Sequence, residues 1–247
     1  MKILVTAGGT CEDIDSVRSI INHSTGRLGS IIADVFADNN AEVTYLCGER
    51  AILPVSDNIE IVRIRDVQSL LEAMDSLFTA YKFDCVIHAM AVSDFRPKTV
   101  LTVDDIVESV CRAIDNKSDI KAAILSAAGG LRENKISSKN SDLMILLEKN
   151  PKVIGLIKEK QPETILVGFK LLSGASEGEL LQAAKTLQEK NACDLVLAND
   201  LQDIEGESHE AMLTHNGEVL NRASTKQEIA RMIYKSVDEL AFKRRRL

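Results

Sequence analysis

The chain has 247 residues, 45% of them apolar and 27% charged, with 13 glycines and 4 prolines. That length suits one or two domains with a real hydrophobic core, and the composition excludes a collagenous or largely disordered chain. The net charge of −7, from 30 basic and 37 acidic side chains, argues against non-specific binding to nucleic acid or a membrane surface. The five cysteines (Cys11, Cys47, Cys85, Cys111 and Cys193) are scattered, with no Cys-x-x-Cys spacing. They read as free thiols in a reducing cytoplasm rather than as a disulfide framework or a zinc site. No apolar run reaches the ~18 residues of a membrane helix, and a strand pattern begins at once, without a leader. The expectation is a cytoplasmic globular protein.

In chain order, Lys2–Ala7 is a short aliphatic run that stops at Gly8-Gly9, as a parallel strand buried on both faces would. Segments 42–46, 59–64, 83–88, 164–168 and 194–198 read the same way. Helical patterns lie between them. A helix begins near Ile31. Thr102 with Asp105 forms a capping box ahead of Ile106, Val107, Val110 and Ile114 on one face. Ser176 with Glu179 opens a helix whose inner face carries Leu180, Ala183, Ala184 and Leu187. Thr225 with Glu228 opens another, burying Ile229, Met232, Ile233, Val237 and Leu240. Strands alternating with helices predict an α/β fold: a doubly wound, mostly parallel, Rossmann-like sheet.

Two stretches break the rhythm. Residues 116–140 are polar and irregular, and a segment of that length is usually functional, often a lid. Residues 208–224 alternate weakly around Asn216-Gly217, a hairpin signal, and an appended antiparallel hairpin is expected to serve dimerisation. The tail 243–246 reads as a solvated helix end offsetting the dipole. No linker divides the chain, so residues 1–247 are expected to form a single domain.

The chemistry is concentrated after the first strand. Gly8, Gly9 and Thr10 stand where glycines let the backbone approach an anion, and amides at the next helix start can bind phosphate. The turn matches neither GxGxxG nor GxxxxGK[ST]. The following segment 14–29 supplies a guanidinium, a carboxamide, hydroxyls and glycines. Within it Arg18 and Asn22 are four positions apart, on one face if the stretch is helical. By itself this polar run is equally a solvated loop.

Together these blocks resemble phosphopantothenoylcysteine synthetase, the ligase of coenzyme A biosynthesis. The matching blocks are 7–10, 14–18, 22–29, 91–97, 135–136, 149–151, 167–169 and 194–200, in order along essentially the whole chain. Because the first strand starts at Lys2, the chain is expected to be the monofunctional form, with the decarboxylase that acts next in the pathway a separate protein. The resemblance implies that 4′-phosphopantothenate is joined to L-cysteine through an acyl-nucleotide intermediate. CTP (or ATP) would be the co-substrate, and Mg²⁺ would be held through phosphates with no protein metal site. It also implies a homodimer, and no nucleic acid or membrane as partner.

The resemblance further implies site residues. Asn22 would hold the acyl carbonyl, with Arg18 supporting its loop and Lys135 closing over the site from the lid. Gly8, Gly9, Thr10, Asp94, Phe95, Pro151, Ile154, Phe169, Lys185 and Lys190 would contact the nucleotide, Lys185 only after a one-residue shift. Ser24, Thr25, Gly26, Met90 and Ala91 would contact the substrate. His23 and His88 read as structural. Two other classes keep the glycine turn and the strand pattern: a nicotinamide-dependent oxidoreductase and a non-catalytic nucleotide-binding regulator.

Overall fold

The computed structural model describes residues 1–127 and 142–246. The chain begins with β1 (Lys2–Ala7), β2 (Cys11–Asp13), β3 (Ser19–Ile21), α1 (Arg27–Asp38), β4 (Glu42–Gly48), β5 (Glu60–Ile64) and α2 (Val67–Ala80). It continues with β6 (Cys85–His88), β7 (Phe95–Thr102), α3 (Val103–Asp115), α4 (Ile120–Ala127), β8 (Leu143–Lys149), α5 (Val153–Lys160), β9 (Ile165–Leu172) and α6 (Glu177–Asn191). It ends with β10 (Leu195–Asp200), β11 (Ile204–Glu205), β12 (Ser208–His215), β13 (Glu218–Thr225) and α7 (Lys226–Arg244).

Contacts divide the described residues into two compact units interleaved along the chain. The first holds Met1–Thr10, His23–Val92 and Lys152–Leu247; the second holds Cys11–Asn22 and Ser93–Pro151. Two insertions build the second unit, which is why no linker is visible in the sequence.

The first unit is the expected doubly wound sheet. Parallel strands lie in the order β5-β4-β1-β6-β9-β10, followed by antiparallel β12, on which β11 and β13 both pair. Each central strand is buried on both faces, so its aliphatic run feeds two cores. Ile3, Val5 and Ala7 pack with α1 and α7, while Leu4 packs with α2, α5 and α6. The chain leaves β1 for β4 and β5 on one side, then crosses back to β6 on the other. Between β1 and β6 lies the topological switch point, where open α/β sheets bind ligands at the carboxyl ends of their strands.

The expected hairpin is β12–β13. Its turn places Asn216 and Gly217 at φ 52 and 81, the left-handed pair that Asn-Gly adopts readily. The three predicted capping boxes are present at Thr102, Ser176 and Thr225. The tail, however, is more than a solvated end. The Arg244 guanidinium donates to the Glu163 carbonyl (2.7 Å) and pairs with Asp194, tying α7 to the sheet's amino-terminal edge. Lys158 binds the same carboxylate at 2.9 Å.

The second unit departs further from expectation. The stretch carrying Arg18 and Asn22 is no helix but leads through the β2–β3 hairpin. Asp15 forces the reversal by accepting the amides of Val17 and Arg18 at 2.9 and 2.8 Å. Segment 95–102, which contains Pro97, pairs with β8 as an antiparallel ribbon. The register shifts between Pro97 and Thr99, where proline has no N–H to give the ladder. Part of the stretch expected to be irregular is α4. The apolar stripe of α3 is largely open, with Val107 53% and Ile114 58% exposed.

Candidate phosphate-binding site

In the first unit the ladder between β1 and β6 continues past both strands. The Ala89 amide donates to the Thr6 carbonyl (3.1 Å), Ala91 to Gly8 (2.8 Å), and Thr10 to Ala91 (3.3 Å). The glycine turn is thus fastened to residues 89–91, which brings Gly8, Gly9, Thr10, Met90 and Ala91 together at the switch point. Gly8 has φ +79, and a Cβ there would stand 2.8 Å from that of Ala51. A Cβ on Gly48 would stand 2.4 Å from the Gly9 carbonyl oxygen. Neither site accepts a larger residue without backbone movement.

Helix α1 starts on the same side. Its N-cap is Gly26 at φ 71, with no side-chain cap and no acidic residue in the first turn. The Thr25 hydroxyl accepts the Arg27 amide at 3.3 Å. The helix therefore begins with its positive dipole end uncompensated by its own side chains, an arrangement that suits a phosphate. Gly29 brings the helix close, since a Cβ there would lie 2.5 Å from Ala7 Cβ. Tyr45, fully buried, reaches Gly26 O at 3.2 Å and Ile52 O at 2.9 Å with its hydroxyl.

These glycines divide the labour of the dinucleotide fingerprint: a tight turn at Gly8, a helix start at Gly26 and close helix–strand packing at Gly29. The insertion of residues 11–22 pulls the motif apart, so it escapes a search for contiguous GxGxxG. The surviving Gly26-x-x-Gly29 half was the signal available in the sequence. Tyr45, Gly29 and Gly48 are close neighbours of this turn and helix start that sequence reasoning missed.

On the opposite face of the sheet edge, the Thr6 hydroxyl meets Nδ1 of His88 at 2.8 Å, both residues buried. Burial pushes His88 down from 6.5 to about 4, so the imidazole is neutral. His88 pairs in register with Gly168, against whose Cβ position Ile154 Cδ1 stands at 3.5 Å. Phe169 packs partly buried against the core beside α1 and α7. Ile154 and Phe169 are therefore at this carboxyl edge, on opposite faces.

Lys185 and Lys190 are not brought there. Helix α6 runs from the carboxyl edge back to the amino edge. The Lys185 stem lies along the Gly217 turn, and Gln188 bonds His215 and Asn216 at that same end. Lys190 falls in the last turn of the helix.

In the second unit, Arg18 is held by Asp15, with Nε and Nη2 at 3.1 and 2.5 Å from Oδ2. Its guanidinium thus ties to the carboxylate that makes the hairpin turn. Because Gly26 is the N-cap of α1, Asn22 is not a helix cap. The carbonyl of Asp94 accepts the Asn150 amide at 2.9 Å, and Asn150 Nδ2 binds the Ser93 carbonyl at 3.0 Å. Phe95 opens β7 and is 46% exposed; Pro151 follows the same clasp. Lys135 and most of the expected lid lie outside the described residues. Among the described residues no three His, Cys, Asp or Glu side chains gather as a metal site, and no helix is long and apolar enough to cross a membrane.

A doubly wound sheet with a glycine N-cap at the start of α1 and a split glycine motif at its switch point defines the class: an α/β protein of the Rossmann-like type. The chain belongs to the family described as the DNA/pantothenate metabolism flavoprotein C-terminal domain, whose profile matches residues 1–105 and 115–240. It is 33% identical over 241 residues to the coenzyme A biosynthesis bifunctional protein CoaBC of Thermococcus kodakarensis, covering 97% of this chain and 51% of that relative. The chain thus spans about half the length of the relative. In structure it resembles the DNA/pantothenate metabolism flavoprotein from Streptococcus pneumoniae, with TM-score 0.83, 35% identity, and 97% and 99% of the two chains covered. A Cab2 structure in complex with phosphopantothenate-cysteine shares the fold, with TM-score 0.70, 18% identity, and 98% and 86% covered.

Proposed function

We propose that the chain ligates 4′-phosphopantothenate to L-cysteine at the expense of a nucleoside triphosphate, CTP being expected, in coenzyme A biosynthesis. The observation that carries this reading is the split glycine cradle at the switch point, which suits a phosphate-bearing ligand. Family membership and the CoaBC relative support the pathway.

Two bond exchanges make up the reaction. A carboxylate oxygen of the pantothenate attacks the α-phosphorus, and the bridging P–O bond breaks to release pyrophosphate. The cysteine amine then attacks the acyl carbon, loses a proton to solvent or a base, and expels the nucleoside monophosphate. Two anions meet in the first step, so fixed cations and amide dipoles matter most there. The α1 amides with Ser24, Thr25 and Gly26 are assigned to a phosphate. Gly8, Gly9, Thr10, Met90 and Ala91 form the floor, and Phe169 and Ile154 are the apolar contacts. Asn22 is assigned to the acyl carbonyl, Asp94 and Phe95 to the nucleotide, and Lys135 to the charge developing in transfer. Mg²⁺ would be held through phosphate oxygens of the bound ligands, where it would supply charge neutralisation. We also propose a cytoplasmic homodimer.

Pyrophosphate release measured with each component omitted tests this reading. Release should require both phosphopantothenate and the triphosphate. Release independent of phosphopantothenate, or none with any triphosphate, would overturn it.

A further inference from the structure

Among the residues at the carboxyl edge, Tyr45 stands apart because its hydroxyl touches only backbone. It lies on β4, fully buried, with 2.9 Å to the Ile52 carbonyl and 3.2 Å to that of Gly26. One phenolic proton is thus shared between two acceptors in segments 26 residues apart. The same segments are cross-tied elsewhere: the Ile52 amide donates to the Thr25 carbonyl at 2.9 Å, and the Ala51 amide to Gly48 at 3.0 Å. Ala51 Cβ fills the space beside Gly8 and Gly26, standing 2.8 and 3.0 Å from where a Cβ on each would sit. Farther along the loop, the Asp34 carboxylate accepts the Val55 and Ser56 amides at 2.9 Å each.

The loop after β4 is therefore pinned to α1 at both ends, and Tyr45 is the buried side chain that links it to the helix start. The Gly26 carbonyl also accepts the first helical bond, from Ser30 at 2.9 Å. Anything that moves it reorients the α1 amides assigned above to a phosphate. Burial raises the Tyr45 hydroxyl well above the usual tyrosine range, so it stays protonated and remains a donor.

We propose that Tyr45 is a positioning residue for the phosphate cradle, its hydroxyl fixing the width between the α1 start and the loop after β4. The proposal deepens the functional reading above and rests on it. Tyr45 would touch no reacting atom; it would act through the Gly26 backbone.

The test is Tyr45→Phe, which keeps the ring and deletes the shared donor, with Ile233→Val as a packing control in the core under α7. CTP and 4′-phosphopantothenate are titrated separately by calorimetry, and kcat and the KM for cysteine are measured alongside. In Tyr45→Phe the Kd of at least one phosphate-bearing ligand should rise about tenfold, as for one lost buried hydrogen bond. The KM for cysteine should hold, with kcat changed by no more than about twofold. Ile233→Val should bind both ligands as wild type does, although its melting temperature falls. Equal affinities in Tyr45→Phe and wild type would overturn the proposal. So would an equal loss of affinity in Ile233→Val, which would make the effect one of general stability. Wild-type protein that binds neither ligand would overturn the functional reading, and the proposal with it; that result is distinct because it appears before any substitution.

Discussion

The Thr6 hydroxyl lies 2.8 Å from Nδ1 of His88, joining the carboxyl ends of β1 and β6 across the switch point by a buried pair. Burial holds the His88 imidazole neutral, lowering it from 6.5 to about 4. His209, whose two ring nitrogens are buried without hydrogen-bond partners, also sits about 4, through burial first and then the Lys226 ammonium. For both, the unfolded chain binds a proton that the fold refuses, so stability should rise with pH across the interval. It is present in full above 6.5 and falls as pH drops toward about 4. For His88 the loss is on the order of 3 kcal/mol across that window. Denaturant unfolding of wild type and His88→Gln over this range checks it: the variant should show a shallower slope. Equal slopes would show that His88 is not buried neutral.

Glycine substitutions should separate crowded from open sites. Gly48→Ala drives a Cβ against the Gly9 carbonyl, and overpacking of this kind costs about 1–3 kcal/mol. Because the strained atom belongs to the turn proposed to hold a phosphate, ligand affinity should fall too. Gly178, on α6, has nothing within 4 Å of its Cβ position, so Gly178→Ala should stabilise by about 0.5–1 kcal/mol. Thermal melts of the two variants check the opposite signs.

The sheet was legible because strands buried on both faces show continuous aliphatic runs, as at Lys2–Ala7 and 194–198. The helix starts were legible because Ser176 and Thr225 cap with a glutamate three residues on. The second unit was not. Its β2–β3 hairpin depends on one carboxylate, Asp15, and its β7–β8 ribbon crosses a proline; neither leaves a periodic trace. At the site, Gly8 and Gly9 marked the turn at the switch point, while the split motif hid how closely Gly29 packs on Ala7. The family's lysine pattern pointed to Lys185 and Lys190, but helix direction carries them to the other end of the sheet. Sequence matching has no view of that direction.

The Lys158–Asp194–Arg244 cluster at the amino-terminal edge should be structural alone. Asp194 also accepts the Leu166 amide at 2.8 Å, so Asp194→Ala takes the carboxylate from a partly buried Lys158, from that amide and from the more exposed Arg244. A loss of about 2–4 kcal/mol in unfolding free energy is expected. Turnover per folded molecule should not change. A fall in kcat without a fall in stability would place this edge in the catalytic machinery instead.

Asn22→Asp should divide the two half-reactions. A carboxamide can donate to the acyl carbonyl as cysteine attacks, whereas an ionised carboxylate only accepts. The variant should release pyrophosphate in a single turnover and accumulate the acyl nucleotide with cysteine present. Since Gly26 caps α1, a near-normal yield of product could not be put down to capping and would remove Asn22 from the reaction.

The acyl-nucleotide route leaves an isotopic trace, and following it is the most direct test of the proposed activity. Phosphopantothenate labelled with heavy oxygen in its carboxylate is incubated with the chain, CTP, Mg²⁺ and cysteine, and the products are resolved by mass spectrometry. The account predicts phosphopantothenoylcysteine and CMP in equal amounts, with one labelled oxygen carried into the CMP phosphate. Product formed with unlabelled CMP, or no product at all, would contradict it.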